Sequence, residues 1–215
     1  MEQLGLFAVL CVIFWSSVFA LTLVLFRQNI KPHLKSIIVS ALIMTQVTII
    51  TQTKLLFLGL VVLQPLFTIL CFTFFFRIRL ASAVLVSLVV ILYNVISEML
   101  LYLITTRFQL EAFIALAKEA TFLPAIVLTL LNSTTALVLS KIRVGFTFVR
   151  FNPITPSINT HAKSLFFILS GGLILLVIII SALFLGTMIS VLAYGLGTIL
   201  LIVLIHYLYV KEVSD

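Results

Sequence analysis

Apolar residues run along this chain in seven long blocks: Leu4–Phe26, Ser36–Thr53, Leu55–Phe75, Leu80–Thr106, Phe122–Ser140, Ser164–Thr187 and Ser190–Val210. Polar residues fall mostly in the breaks between them. Each block holds roughly 18 residues or more, and at about 1.5 Å of helical rise per residue that length crosses a hydrocarbon core of about 30 Å. The pattern predicts seven transmembrane helices. The second block is the most diluted, by Thr45, Gln46, Thr48, Thr51 and Gln52. Losing it would invert every later segment.

Composition agrees with the pattern. Of the 215 residues, 63% are apolar and 9% are charged, and the mean hydropathy is +1.38. A soluble domain carries about 25% charged residues. The expected fold is therefore all-α, a polytopic helical bundle forming one integral membrane domain. The first block is not a signal peptide by pattern, because Glu2 precedes it, no Lys or Arg does, and the block exceeds an ordinary signal core. It is expected to remain as a spanning helix.

Net charge is +7, and its placement points to topology rather than to nucleic acid. With the N-terminus outside, the inner segments hold Arg27, Lys31, Lys35, Arg77, Arg79, Lys141, Arg143, Arg150, Lys163 and Lys211. The outer segments hold only Lys54, Arg107 and Lys118. This asymmetry favours an N-out, C-in arrangement. Residues 1–145 then form a five-helix part, 146–163 a cytoplasmic linker, and 164–210 a C-terminal hairpin.

Two loops are long. In the outer one, around Phe108–Thr121, Leu110, Phe113, Ile114 and Ala117 recur at helical spacing opposite Glu111, Lys118 and Glu119. That predicts a short interfacial helix, either a linker or a lid. The inner loop, Lys141–Lys163, combines Arg143, Arg150 and Lys163 with Phe146, Phe148 and Phe151, a mixture suited to anionic headgroups. Pro153 and Pro156 break regular structure there. Gly186, Ser190, Ala193 and Gly197 recur at close helical spacing, and from Ser190 onward they form a small-residue stripe on the last helix. It suits packing within the chain or in a homodimer, and both remain open.

Catalytic chemistry finds no support in the pattern. From helical rise, Cys11 lies about 10 Å and Cys71 about 24 Å below the outer surface. A disulfide needs Cα atoms within about 7 Å, so the two are not expected to pair. His33, His161 and His206 are scattered, and no clustered His/Cys ligand set, Walker A, HExxH or GxSxG pattern occurs. The expectation is a non-enzymatic protein without metal or cofactor.

What remains is a polar layer. Ser16, Gln46, Gln64, Asn94 and Asn132 each fall within about 10 Å of the midplane, one from each of the first five helices. Glu98 lies one turn beyond Asn94 on the same face, which Ser87 and Tyr102 extend. Ser133, Thr134 and Thr135 accompany Asn132, and Pro65 beside Gln64 is positioned to kink the third helix. Single hydroxyls and amides at such depth commonly join helices. A carboxylate costs about 3 kcal/mol or more there unless it is neutral, paired or solvated. Glu98 either serves binding or proton linkage, or is protonated and bonded to a neighbour such as Asn132 or Gln46. Glu98, Asn94, Asn132, Gln46, Gln64 and Tyr102 are the candidate site residues.

The order of elements and several strings resemble the membrane sensor module of receptor histidine kinases of Gram-positive bacteria, the accessory-gene-regulator peptide receptors and related GHKL kinases. The strings are FRQNIKPHLK after the first span, FFFRIRL between spans three and four, ISEMLLYLIT in the fourth, and LPAIVLTLLNSTTALVLSKIR. The resemblance covers residues 1–145 best. It implies a bacterial cytoplasmic-membrane receptor for an extracellular peptide or small amphiphile, with a histidine kinase or other cytoplasmic signalling partner. Such receptors continue into a kinase domain that these residues do not contain, so a sensor module is expected. The runner-up is the vitamin-binding subunit of an energy-coupling-factor transporter, although no Ala-rich coupling motif is present. An accessory protein that stabilises another membrane complex is a third reading.

Overall fold

The computed structural model describes residues 2–54, 62–107, 122–147, 172 and 187–214, and every regular element among them is helical. In chain order these are α1 (Glu2–Leu25), a 3-10 turn (Lys31–His33), α2 (Leu34–Lys54), α3 (Gln64–Phe74), α4 (Leu80–Thr105), α5 (Phe122–Ile142) and α6 (Thr187–Ser214). Four stretches are long and apolar enough to cross a membrane: Gly5–Leu25, Lys31–Thr51, Leu80–Thr105 and Pro124–Ile142. Gln64–Phe74 and Gly195–Val210 are shorter apolar helices. Of the seven blocks, the first, second, fourth, fifth and seventh coincide with helices. The third is described only from residue 62, and the sixth only at Gly172 and at Thr187, where α6 begins.

The diluted second block is a helix whose hydroxyls are satisfied within it. Thr45 donates to the Ala41 carbonyl at 2.8 Å, Thr48 to Met44 at 2.8 Å and Thr51 to Thr48 at 3.0 Å. All three threonines are buried. Such back-bonding satisfies a hydroxyl without water and lets it face a neighbouring helix. Pro65 sits near the start of α3, just after helical backbone that is locally widened, an irregularity of the kind that accommodates a residue without an N–H. A short π-helical stretch, Val62–Leu63, precedes it.

Packing joins α1 to α2, α2 to α3, α3 to α4, α4 to α5 and α5 back to α1, a closed circuit of five helices. The sixth helix adds to this circuit by packing on α4. The main core lies between α1, α2, α3 and α4 and is rich in rings. Phe19 meets Phe72 edge-on at 5.3 Å and stacks on Phe76 at 5.7 Å, with Trp15 at 6.4 Å. A second apolar cluster, containing Leu85, Leu88, Leu92, Tyr102, Leu204 and Leu208, joins α4 to α6. The outward surface is also apolar: Leu42, Leu130, Ile199 and Ile202 are exposed, as expected of helices solvated by lipid.

Helix ends fix which turns lie together. The Phe146 N–H donates to the Leu25 carbonyl at 2.8 Å, so the segment after α5 caps α1. Gly145 is required at that crossing, since a Cβ would stand 2.6 Å from the Leu25 carbonyl oxygen. Ser36 donates to the Phe75 carbonyl at 3.0 Å, and the His33 and Phe76 rings approach to 5.9 Å. The turns after α1, α3 and α5 therefore share one end of the bundle.

Candidate functional site

The polar layer is assembled around α4, on a helix that the circuit buries on several sides. Asn132 on α5 donates from Nδ2 to Asn94 Oδ1 at 2.9 Å and to Ser17 Oγ on α1 at 3.4 Å. Asn94 in turn donates to the Val90 carbonyl at 2.9 Å, and Ser17 to Phe14 at 2.7 Å. All three residues are buried, Asn132 completely. One carboxamide thus pins three helices at one depth. The Tyr93 hydroxyl adds a second bond between α4 and α5, 2.8 Å from Thr135 Oγ1.

Asn132 Oδ1 is buried and has no hydrogen-bond partner among the described residues, and the same holds for Ser87 Oγ. A buried unsatisfied acceptor costs about 1–3 kcal/mol. The seam therefore has room in its bonding for one more donor at Asn132.

Farther along α4, the Tyr102 hydroxyl donates to Glu98 Oε1 at 3.0 Å. This is the i, i+4 partner on the same face, not Asn132 or Gln46. Asn132 is committed to Asn94 and Ser17. Gln46 is exposed on α2 and does not join the seam. Gln64 is half-buried at the start of α3, where its carbonyl accepts from Thr68 at 2.7 Å. Ser16 is half-buried, and the residue in the seam is Ser17. The structure thus brings Asn94 and Asn132 together, pairs Glu98 with Tyr102, and leaves Gln46 and Gln64 apart from both.

Sequence reasoning missed Ser17, Tyr93 and a further cross-link, the Trp15 indole donating to Thr48 Oγ1 at 3.0 Å. The only Trp in the chain, opposite a Thr-rich helix, was the available signal. Both thiols, Cys11 and Cys71, are free and buried. Among the described residues no group of His, Cys, Asp or Glu could hold a metal ion. The outer segment Phe108–Thr121 and most of the inner loop lie outside the described residues, as does Gly186, whereas Ser190, Ala193 and Gly197 of the stripe lie on α6 and Gly197 is buried.

No protein-family model matches the chain, and neither does any curated protein or solved structure.

Proposed function

We propose that the chain is a non-enzymatic membrane receptor module with seven spans, N-out and C-in, in which α4 links an outer binding region to α6. One observation carries this reading. Tyr102 bonds to Glu98 through its hydroxyl, while its buried ring belongs to the same apolar cluster as Leu204 and Leu208 of α6. A polar ligand that competes for Glu98 releases the Tyr102 hydroxyl, and the ring's packing then adjusts against α6. Differential affinity for the two arrangements is what lets a ligand shift such an equilibrium. The ligand class is an extracellular peptide or small amphiphile, and the output is the position of the C-terminal helix, read by a histidine kinase or another cytoplasmic partner.

The open acceptor on Asn132 favours a second reading, a substrate-binding transport subunit in which a donor group of the substrate completes the seam. Affinity purification from native membranes, with a tag after Asp215 and mass spectrometry of the co-purifying proteins, separates the two. A co-purifying histidine kinase or response regulator supports the receptor. A co-purifying pair of ATPases contradicts it and favours transport.

A further inference from the structure

Helices α1, α3, α4 and α5 are each followed by an arginine with positive φ: Arg27 at 50°, Arg77 at 53°, Arg107 at 51° and Arg143 at 56°. This is the left-handed position of a helix C-terminus that glycine ordinarily fills, because a Cβ is strained there. After α1 the geometry is a full C-terminal cap, with the Arg27 N–H on the Val24 carbonyl at 2.9 Å and the Gln28 N–H on Leu23 at 2.8 Å. A cation at a helix C-terminus offsets the dipole, and that accounts for one charge per helix. It does not account for the convergence of Arg27, Arg77 and Arg143 at one end of the bundle.

At that end Arg27 and Arg143 are drawn together. The segment carrying Arg143 caps α1 through Phe146, and Arg27 Cγ stands 3.0 Å from where a Cβ on Gly145 would lie. Both arginines are exposed, as are Lys31, Lys35, Arg77, Arg79 and Lys141 in the same three turns. None of the turns, 26–36, 75–80 and 141–147, contains an Asp or Glu. The rim is apolar: Phe74 is 70% exposed, Leu80 62%, Ile142 63% and Val144 53%.

We propose that this end is a binding site for an anionic phospholipid headgroup, with Arg27 and Arg143 holding one phosphate over Gly145. Guanidinium groups match phosphate oxygens in forked geometry. The exposed apolar rim selects a lipid over a free phosphate, because acyl chains cover it. Anionic headgroups also offset the repulsion among cations gathered at one surface.

The test compares thermal unfolding of the full chain in vesicles of phosphatidylcholine with that in vesicles containing phosphatidylglycerol. Arg27→Gly with Arg143→Gly removes both guanidinium groups while placing the favoured residue at each positive φ. Arg107→Gly, at the other end of α4, is the matched control. Wild type and Arg107→Gly should gain thermal stability in the anionic vesicles, and the double variant should lose most of that gain while unfolding normally in phosphatidylcholine. Phosphatidylglycerol retained on the detergent-purified protein should fall in parallel. An equal gain in the double variant, an equal loss in Arg107→Gly, or a full gain from inorganic phosphate in phosphatidylcholine vesicles would overturn the proposal.

Discussion

The two sides of α1 hold the bundle by different means. Toward α2 and α3 it presents Trp15, Phe19, Leu23 and Phe26, packed against Met44, Phe72 and Phe76. Toward α5, the helix it packs against most extensively, it buries smaller side chains, Leu21 and Val24 against Ala136, and the side-chain hydrogen bond across the pair is Asn132 to Ser17. Ring packing is tolerant of small rotations and buries the largest side chains of the core. The carboxamide seam fixes register, since one shift of a residue breaks every bond in it. The contrast separates a firm, ring-packed side, α1–α3, from a side held in register by hydrogen bonds, α1–α4–α5.

The largest effect should come from the firm side. Phe72→Ala removes a fully buried ring touching Phe19 and Phe76. It should cost about 3–5 kcal/mol, read as a fall in thermal midpoint in nanodiscs. The seam should give less. A double-mutant cycle of Asn94→Ala and Asn132→Ala should return a coupling of about 0.6–1.7 kcal/mol, the range for bonds between membrane helices. A coupling near zero would remove the seam as a register device. Gln46→Leu, on the exposed face of α2, should change stability by less than about 0.5 kcal/mol. A larger loss would show that α2 meets a partner there.

Much of the fold was legible because helix length and apolar run length measure the same thing. The fourth block and α4 begin at the same residue, Leu80, and end within one residue of each other. The face shared by Asn94, Glu98 and Tyr102 followed from i, i+4 spacing. Azimuth was not legible. Depth estimated from rise puts Ser16 and Gln46 in the layer, but adjacent helical residues point about 100° apart, so Ser17 rather than Ser16 reaches Asn132. Gln46 likewise sits at the right depth on the wrong face. The thread from Trp15 to Thr48 was hidden because Thr48 looked only like a dilution of its block. The arginine caps were hidden because glycine marks that position in most sequences.

In the receptor reading, Glu98 and Tyr102 set the position of α6. Spin labels at Ile142→Cys and Val210→Cys, both exposed positions, report the separation of the ends of α5 and α6 in a background with Cys11 and Cys71 replaced by Ala. Glu98→Gln and Tyr102→Phe, compared with the unaltered pair by double electron–electron resonance in nanodiscs, should each shift or broaden the distance distribution. Distributions that superimpose on that of the unaltered pair would contradict this coupling.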